Sequence, residues 1–485
     1  MRKLALIGWL DLLFGVVFLA AWIGWFYYMY QENPSGLIKI AMLFGAVLTG
    51  YLLLFRKELL YTICLVSIPL AQPLDPLNSG NILDFPSEFI LFLLGPLLLL
   101  SVIRDKKLGH VWFHPMTILL LCDIAWITIA SITSTLPEAS VKRLIMRILF
   151  MTLFYMGMIR MAGSSRLVGK YFGLYIIGML AVIVMVLQKH ATYDFVPQVS
   201  FIIPQPFYPD HTVYGAALAF VIPIAWYFRK MARLHSPYML VRWMATLAMA
   251  VLIIALILSY SRAAILSLLL TLLLFGLIRL RIRFWQILVI LITLGGITYV
   301  KWVDIYNEVR QNESVSNSHN VSEHFSSVTN IRSDASNLER INRWTCAWRM
   351  FKEKPLTGWG PGTYQFQYGQ FQTLSDMTYI STRYGNRGNA HSEYLTYLSE
   401  TGWPGFLLFL VICGYAMAMG LRNIYRAATP EQRWLALALT GALTTFMIHG
   451  LFNAFIDQDK MAVLVFGALG GLTAMDLKNA RTHEA

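Results

Sequence analysis

Long runs of apolar residues separated by short polar segments dominate the pattern along this chain. A helix needs about 20 mostly apolar residues to cross the hydrocarbon core of a bilayer, so each run of roughly this length predicts a transmembrane helix. We count fourteen such runs, although the third is short and ends in prolines, so that a total of twelve or thirteen stays open. The predicted spans cover residues 6–30, 37–55, 58–72, 85–103, 116–133, 144–161, 171–188, 212–228, 241–259, 262–279, 284–302, 404–421, 433–450 and 460–476. The predicted fold class is therefore an all-α polytopic integral membrane protein.

Lysine and arginine residues indicate how these spans are oriented, because short cytoplasmic loops of membrane proteins carry an excess of both residue types. When the fourteen runs are threaded in order, the basic clusters all fall on one side of the membrane. The clusters are Arg2 and Lys3; Arg56 and Lys57; Arg104, Lys106 and Lys107; Arg160, Arg166 and Lys170; Arg229, Lys230, Arg233 and Arg242; Arg279, Arg281 and Arg283; Arg422, Arg426 and Arg433; Lys478 and Arg481. We therefore predict that both termini are cytoplasmic.

One long polar segment, residues 303–403, falls on the opposite side, and long loops are not governed by the charge rule. The chain then divides into four parts that differ in hydropathy and motif content. These are N-terminal transmembrane helices in 1–209, transmembrane helices with a Ser-Arg motif in 210–302, a large outward-facing loop with short helices in 303–403, and C-terminal transmembrane helices in 404–485. We expect the functional site to lie in the large loop.

Composition excludes a soluble fold, since 57% of the 485 residues are hydrophobic and only 13% are charged. The net charge of +13 does not indicate a nucleic-acid partner, because Lys and Arg lie between apolar runs and are not concentrated on one polar domain. The four cysteines form no CxxC pair, and we predict no structural metal. His190, Asp194, Asp210 and His211 come nearest to a ligand cluster, and we interpret them as solvated loop residues.

Ser261 and Arg262 stand at the outer end of the ninth span, directly before an apolar run. An arginine in this place commonly snorkels to the headgroups and anchors its helix. An arginine fork beside serine hydroxyls and helix N-terminal amides would alternatively bind phosphate. Both interpretations remain open at this point.

The large loop contains a helical pattern that begins near Leu338 and ends at Pro355. Trp344, Trp348 and Phe351 share one face, so the helix could rest on lipid headgroups. Alternatively, its Arg340 would lie over the site as a second phosphate ligand. A glycine-rich turn, Gly358-Trp359-Gly360-Pro361-Gly362, follows and is weak evidence by itself.

His391 lies in the segment Asn389-Ala390-His391-Ser392-Glu393-Tyr394-Leu395, which is followed by Glu400 and the twelfth span. A lone histidine is usually a hydrogen-bonded structural residue. Because this loop returns to the membrane surface, however, His391 could keep an ordinary pKa near 6.5 beside a lipid headgroup and act as a general base.

The set of motifs resembles the O-antigen ligase and polymerase superfamily over roughly residues 210–459. The motifs are Ser261-Arg262, Arg340-x-x-x-Trp344, Pro355-x-x-Gly358-x-Gly360-x-Gly362, His391-Ser392-Glu393-Tyr394-Leu395, Glu400-x-Gly402 and His449-Gly450-Leu451-Phe452-Asn453. The resemblance implies a GT-C-like helical glycosyltransferase of the bacterial inner membrane with a periplasmic active site. It implies a glycan donor linked to undecaprenyl diphosphate, an acceptor hydroxyl on lipid A-core or another glycan, and no metal, nucleotide sugar or other cofactor.

Carried over residue by residue, the resemblance implies that Arg262 and Arg340 bind the donor diphosphate and that His391 deprotonates the acceptor. Further residues of the same motifs are candidates for substrate binding. They are Ser261, Arg343, Asn389, Glu393 and Tyr394.

Three other functions are compatible with parts of the pattern. A polymerase of the same superfamily, or a transferase that glycosylates protein hydroxyls, would share the motifs. A transporter would be expected to show ionisable residues near the membrane midplane. Asp11, Asp123 and Arg147 lie inside predicted spans but form no pathway, and we predict that Asp123 and Arg147 pair between neighbouring helices.

Overall fold

The computed structural model of the protein describes residues 48–74, 83–162, 164–279, 335–374 and 388–484, with isolated residues at 45, 289, 293, 296, 297, 300, 301, 377 and 381. The predicted span 6–30, most of the spans 37–55 and 284–302, and Asp11 lie outside the described residues. All statements about the fold refer to the described part.

Helices make up nearly all of this structure, which confirms the all-α membrane class. In chain order they are α1 (Lys57–Ser67), α2 (Ser87–Arg104), α3 (Gly109–Trp112), α4 (Pro115–Ile132), α5 (Pro137–Met161, with a π-helical turn at Met151–Met156), α6 (Ser165–Ala191), α7 (His211–His235), α8 (Met239–Leu258), α9 (Arg262–Arg279), α10 (Ala335–Glu353), α11 (Tyr364–Gln367), α12 (Glu393–Arg426), α13 (Pro430–His449) and α14 (Asp459–Glu484). Two three-residue strands, β1 (Gln72–Leu74) and β2 (Leu83–Phe85), pair antiparallel between α1 and α2.

Among the described residues, eight helices are long and apolar enough to cross a membrane, namely α2, α4, α5, α6, α7, α8, α12 and α14. Helix α9 is apolar over a shorter stretch, Arg262–Gly276. Helix α13 matches the predicted span 433–450 in position, but Glu431, Gln432 and Arg433 make its first turn polar. The count of fourteen spans stays a prediction.

Helix starts follow local sequence signals. Asp210 caps α7, because one of its carboxylate oxygens accepts hydrogen bonds from the backbone N–H groups of Thr212 and Val213. Ser392 caps α12 through the N–H of Leu395, and Thr429 caps α13. Helices α4, α5 and α13 have proline in their first turn. The missing N–H group of proline is tolerated there, because N–H groups of the first turn have no intrahelical acceptor.

The helix ends meet at two poles of the bundle. Contacts of Ser87 with Asp459, of Asn453 with Thr212 and of Ser261 with Gly215 bring together the starts of α2, α7, α9 and α14. We call this pole the site end. At the opposite pole the Arg422 guanidinium donates to Asp476, whose carboxylate also lies 3.2 Å from Nε2 of His114.

A buried cluster of ion pairs lies within the bundle. The carboxylate of Asp123 in α4 lies 3.9 Å from the Arg147 guanidinium in α5, and the two side chains are buried. Asp457 contacts the same guanidinium at 3.1 Å. The predicted pairing of Asp123 with Arg147 is therefore confirmed, and it joins neighbouring helices as expected for a packing contact.

Candidate functional site

Helix α10 lies on α12 at the site end through a small apolar face formed by Cys346, Ala347 and Met350. The predicted loop helix is thus confirmed, and it ends before Pro355. The Trp344 indole N–H donates a 3.2 Å hydrogen bond to the His391 carbonyl instead of only facing headgroups. Trp348 remains exposed and its ring packs against Phe351.

The glycine-rich turn packs closely against the first turns of α12. Gly358, Gly360 and Gly362 all have positive φ angles, which only glycine adopts without strain. A Cβ atom on Gly360 would come within 2.1 Å of the Ser134 hydroxyl, so the turn also fits closely against the α4–α5 connection. The Glu400 carboxylate accepts the backbone N–H groups of Gly362 and Tyr364 at 2.8 and 2.9 Å. Because the turn directly follows α10, these contacts fix the position of α10 relative to α12.

Arg343, predicted to bind substrate, is buried and holds the loop before α12. Its Nε donates to the Glu339 carboxylate at 2.8 Å and its Nη1 donates to the Asn389 carbonyl at 3.1 Å. Its guanidinium also lies 4.9 Å from the centre of the Tyr368 ring. The structure therefore gives this arginine several protein partners, and its charge remains next to His391.

Asn389 and its neighbours fix the backbone of His391. The Asn389 side-chain oxygen accepts the His391 N–H at 2.9 Å, while its amide nitrogen donates to the Ala454 carbonyl at 2.8 Å. His391 itself has a φ of +49°, an uncommon value for a residue with a side chain. A non-glycine residue held in this conformation by hydrogen bonds on both sides is typical of functional sites.

The expectation of an ordinary pKa for His391 is wrong. Burial, reinforced by the positive charges of Arg343 and Arg340, lowers the pKa of the imidazole to about 3, although Asp210 and a hydrogen bond with Asn453 act in the opposite direction. A pattern in sequence cannot show how deeply a loop histidine is covered or which charges surround it. His391 is consequently neutral at neutral pH, the form that can accept a proton.

Arg262 and Arg340 come to the same place from different parts of the chain. The α8–α9 turn passes through Tyr260, which has a φ of +52°, and Arg262 is the first residue of α9. Both guanidinium groups lie within electrostatic range of His211, and Arg340 also acts on His391. Ser261 is buried next to Gly215 of α7, which places the Ser-Arg motif one helical turn from His211.

Glu393 and Tyr394 join the start of α12 to the end of α13 and to the α13–α14 connection. One Glu393 carboxylate oxygen accepts the backbone N–H groups of Phe455 and Ile456 at 2.5 and 2.6 Å. The Tyr394 hydroxyl donates to the Met447 carbonyl at 3.0 Å. Their contacts position the α13–α14 connection beside His391, and their binding of substrate stays a prediction.

Sequence reasoning missed four residues of this neighbourhood, namely Asp210, His211, His449 and Asn453. Asp210 and His211 are not solvated loop residues, since they begin α7 and are half-buried. His449 is buried at the end of α13, and neither ring nitrogen has a hydrogen-bond partner among the described residues. The sequence offered two signals, the helix-capping position of Asp210 and the motif from His449 to Asn453. Neither signal shows from sequence alone what these residues do in the site.

The assembled site combines fixed positive charge with a neutral imidazole. Arg262 and Arg340 suit an anion such as a phosphate, which planar guanidinium groups bind through paired hydrogen bonds. The buried Arg343, which already donates to Glu339 and Asn389, adds positive charge beside His391. His391 stands beside them as a proton acceptor. Within the ranges that the structure describes, His, Cys, Asp and Glu side chains form no group of three that could hold a metal ion.

Comparison with known protein families gives a match for the middle of the chain. Residues 247–410 match the model of the family described as O-antigen ligase. The matched segment runs from α8 into α12 and contains Arg262, Arg340 and His391, whereas His211, His449 and Asn453 lie outside it. A search of the curated proteins found no match.

Proposed function

We propose that this chain is a glycosyltransferase of the O-antigen ligase superfamily that moves a glycan from undecaprenyl diphosphate to an acceptor hydroxyl. The match of residues 247–410 to the model of the O-antigen ligase family supports this proposal. The acceptor is lipid A-core, and the enzyme works at the periplasmic face of the bacterial inner membrane. The observation that carries the proposal is the convergence of Arg262, Arg340 and the neutral His391 at one pole of a membrane bundle.

The proposed chemistry matches the charges at the site. The acceptor oxygen attacks the first sugar carbon, the bond from that carbon to the phosphate oxygen breaks, and the bonding electrons leave with the lipid diphosphate. Many enzymes stabilise such a leaving group with divalent cations. Here the guanidinium groups of Arg262 and Arg340 take that role, since they stay protonated at all relevant pH values. His391 accepts the proton that the acceptor hydroxyl loses.

The proposed orientation rests on the distribution of basic residues. Arg422, at the opposite pole, belongs to one of the predicted cytoplasmic clusters, whereas the site end carries the loop segment with His391. The positive-inside rule supports cytoplasmic termini and a periplasmic site. Lipid-linked donor and lipid acceptor would both reach this pole from the outer leaflet.

The proposed reaction should proceed without divalent cations. Purified protein in lipid vesicles, supplied with glycan-diphospho-undecaprenol and lipid A-core, is expected to form the glycosylated acceptor at the same rate with and without EDTA. The product can be followed by its mobility on a gel or by mass spectrometry. Activity that EDTA abolishes and that Mg²⁺ or Mn²⁺ restores would show that the arginines do not suffice.

Loss of the protein in cells separates a ligase from a polymerase of the same superfamily. We expect long glycan to accumulate on undecaprenyl diphosphate, because the finished polymer is made but not transferred. The lipid fraction and the lipopolysaccharide of a deletion strain would be compared with those of a complemented strain. Lipid A-core that carries single repeat units would instead indicate a polymerase. A complete lipopolysaccharide combined with unglycosylated proteins would indicate transfer to protein hydroxyls.

A further inference from the structure

An exposed edge with two large apolar side chains runs along α10 and the residues that directly follow it. Trp348 and Leu356 are 46% and 56% exposed, and Lys352, which lies between them in sequence, is also exposed. At 3.6 residues per turn, Trp348 and Lys352 face away from Cys346 and Met350, which belong to the apolar face that lies on α12. We call Trp348, Lys352 and Leu356 the outer edge of α10.

The outer edge of α10 adjoins the face of α12 that lies toward lipid. Exposed apolar side chains recur along α12 with the spacing of a single helical face, at Trp403, Leu407, Leu410 and Val411. Because α12 is long and apolar enough to cross a membrane, this stripe contacts the bilayer. The stripe begins at Trp403, whose backbone N–H donates a 2.9 Å hydrogen bond to the Pro355 carbonyl. The outer edge of α10 therefore ends directly beside the first residue of the lipid-facing stripe.

The chemistry of the outer edge suits the headgroup layer of a bilayer better than it suits a sugar. The centre of the Trp348 ring lies 5.3 Å from that of Phe351 and 5.7 Å from the Lys352 ammonium nitrogen. Tryptophan is enriched where membrane meets water, and a lysine beside it can extend its ammonium group to lipid phosphates. Leu356 offers a sugar neither a flat ring nor a hydrogen-bonding group, but it can bury its side chain among acyl chains.

We propose that the outer edge of α10 docks on the lipid headgroup layer at the site end, with Trp348 and Leu356 below the lipid phosphates and Lys352 level with them. The docking itself does not depend on the proposed reaction, whereas its consequence rests on the proposed function. Arg340 precedes Trp348 by eight residues, which is about 12 Å along the helix. A docked α10 therefore holds Arg340 near the height of the lipid phosphates, where the diphosphate of a lipid-linked donor would lie.

The first test measures the depth of Trp348 in the full-length protein, labelled with fluorotryptophan and placed in nanodiscs of phosphatidylethanolamine and phosphatidylglycerol. The ¹⁹F signal of Trp348 is assigned by its loss in Trp348→Phe. A nitroxide carried by the lipids is expected to broaden this signal several-fold more than a water-soluble gadolinium chelate does. Trp403 should respond in the same way, whereas the buried Trp359 should respond little to either agent. Stronger broadening of the Trp348 signal by the soluble chelate would place the outer edge in water and overturn the proposal.

Charge reversal at Lys352 tests the contact with anionic headgroups. Lys352→Glu is expected to remove most of the lipid-induced broadening of the Trp348 signal, because the new carboxylate is repelled by phosphatidylglycerol. Glu353→Gln is the matched control, since Glu353 is exposed on the same helix but lies off the outer edge, and it should leave the broadening unchanged. In nanodiscs of phosphatidylcholine alone, Lys352→Glu should have a smaller effect. Equal responses of the two variants in the anionic nanodiscs would contradict the headgroup contact.

The same signal distinguishes docking on lipid from binding of a glycan. A Trp348 signal that shifts with a soluble oligosaccharide, and that the lipid-borne nitroxide does not broaden, would assign the outer edge to a glycan and overturn the docking.

The consequence for Arg340 is tested by turnover. Replacement of both Trp348 and Leu356 by serine should raise KM for the lipid-linked donor several-fold with little change in kcat, because α10 loses its fixed height above the bilayer. An unchanged KM would refute the role of the docking in placing Arg340. A docked edge in a protein that transfers no glycan would leave the docking intact and refute only the assigned activity.

Discussion

Replacement of His391 by alanine is expected to lower the rate of glycan transfer by roughly 10²–10⁴-fold, the contribution of a positioned general base. Donor binding should be retained, because Arg262 and Arg340, the proposed ligands of the diphosphate, remain. Initial rates in a lipid-reconstituted assay and binding of labelled donor would be measured on the same preparation. Near-normal transfer with intact donor binding would remove His391 from the mechanism.

The pH profile provides an independent check on the same residue. Because burial and two guanidinium groups lower the pKa of His391 to about 3, the neutral base persists as the pH falls, and kcat/KM should not decline near pH 6.5. A bound diphosphate adds negative charge and raises that pKa, so the decline in kcat should begin at a higher pH than the decline in kcat/KM. A common decline of both near pH 6.5 would indicate an ordinary solvated histidine.

The carboxylates closest to His391 in sequence are poor substitutes for it. One oxygen of Glu393 accepts two backbone N–H groups, and both oxygens of Glu400 accept N–H groups of the glycine-rich turn. Loss of either carboxylate would leave buried donors unsatisfied. Their replacement should therefore disturb the fold around the site, whereas His391→Ala should disturb the chemistry.

Hydropathy predicts the helices of this fold well and their ends less well. The predicted spans 241–259 and 262–279 agree closely with α8 and α9, because the polar residues Ser259 to Arg262 interrupt two apolar runs. Helix α12 begins at Glu393, eleven residues before the predicted span 404–421, because two helical segments join at Gly402 with a φ of +71°. Tertiary hydrogen bonds, such as Trp403 N–H to the Pro355 carbonyl, stabilise that join and leave no trace in hydropathy.

Motifs identify site residues that carry unusual chemistry, but not those that act through position. His391, Arg262 and Arg340 stand out because they belong to a set of motifs that together resemble a known family, whereas charged residues at the ends of apolar runs are common by themselves. Asn453 and His211 look ordinary in sequence and become part of the site only because α7 and the α13–α14 connection meet there. The three-residue strands at Gln72 and Leu83 are also too short for an alternating pattern to predict them.

Arg262→Lys and Arg340→Lys are each expected to lower transfer by about 10²–10³-fold, although both conserve the charge. The undecaprenyl diphosphate carries at least two negative charges, and a partly dehydrated site penalises charge that is left unpaired. We predict that the two guanidinium groups hold the same diphosphate from opposite sides, one from the start of α9 and one from α10. Both act on the imidazole of His211, which is consistent with one shared binding region. A lysine ammonium cannot reproduce the planar pair of hydrogen bonds.

The double lysine variant distinguishes a joint clamp from two independent contacts. If both arginines bind one diphosphate, the double variant should be scarcely slower than either single variant, because the first loss already breaks the unit. Arg160→Lys serves as the control, since Arg160 lies at the end of α5 away from the site and contacts the exposed Ser101 hydroxyl. If Arg262 and Arg340 only anchored helices in the headgroup region, lysine would replace them as readily as it replaces Arg160, because both side chains snorkel. Near-normal turnover in both single variants would therefore eliminate the clamp and leave the leaving diphosphate without its proposed counter-charge.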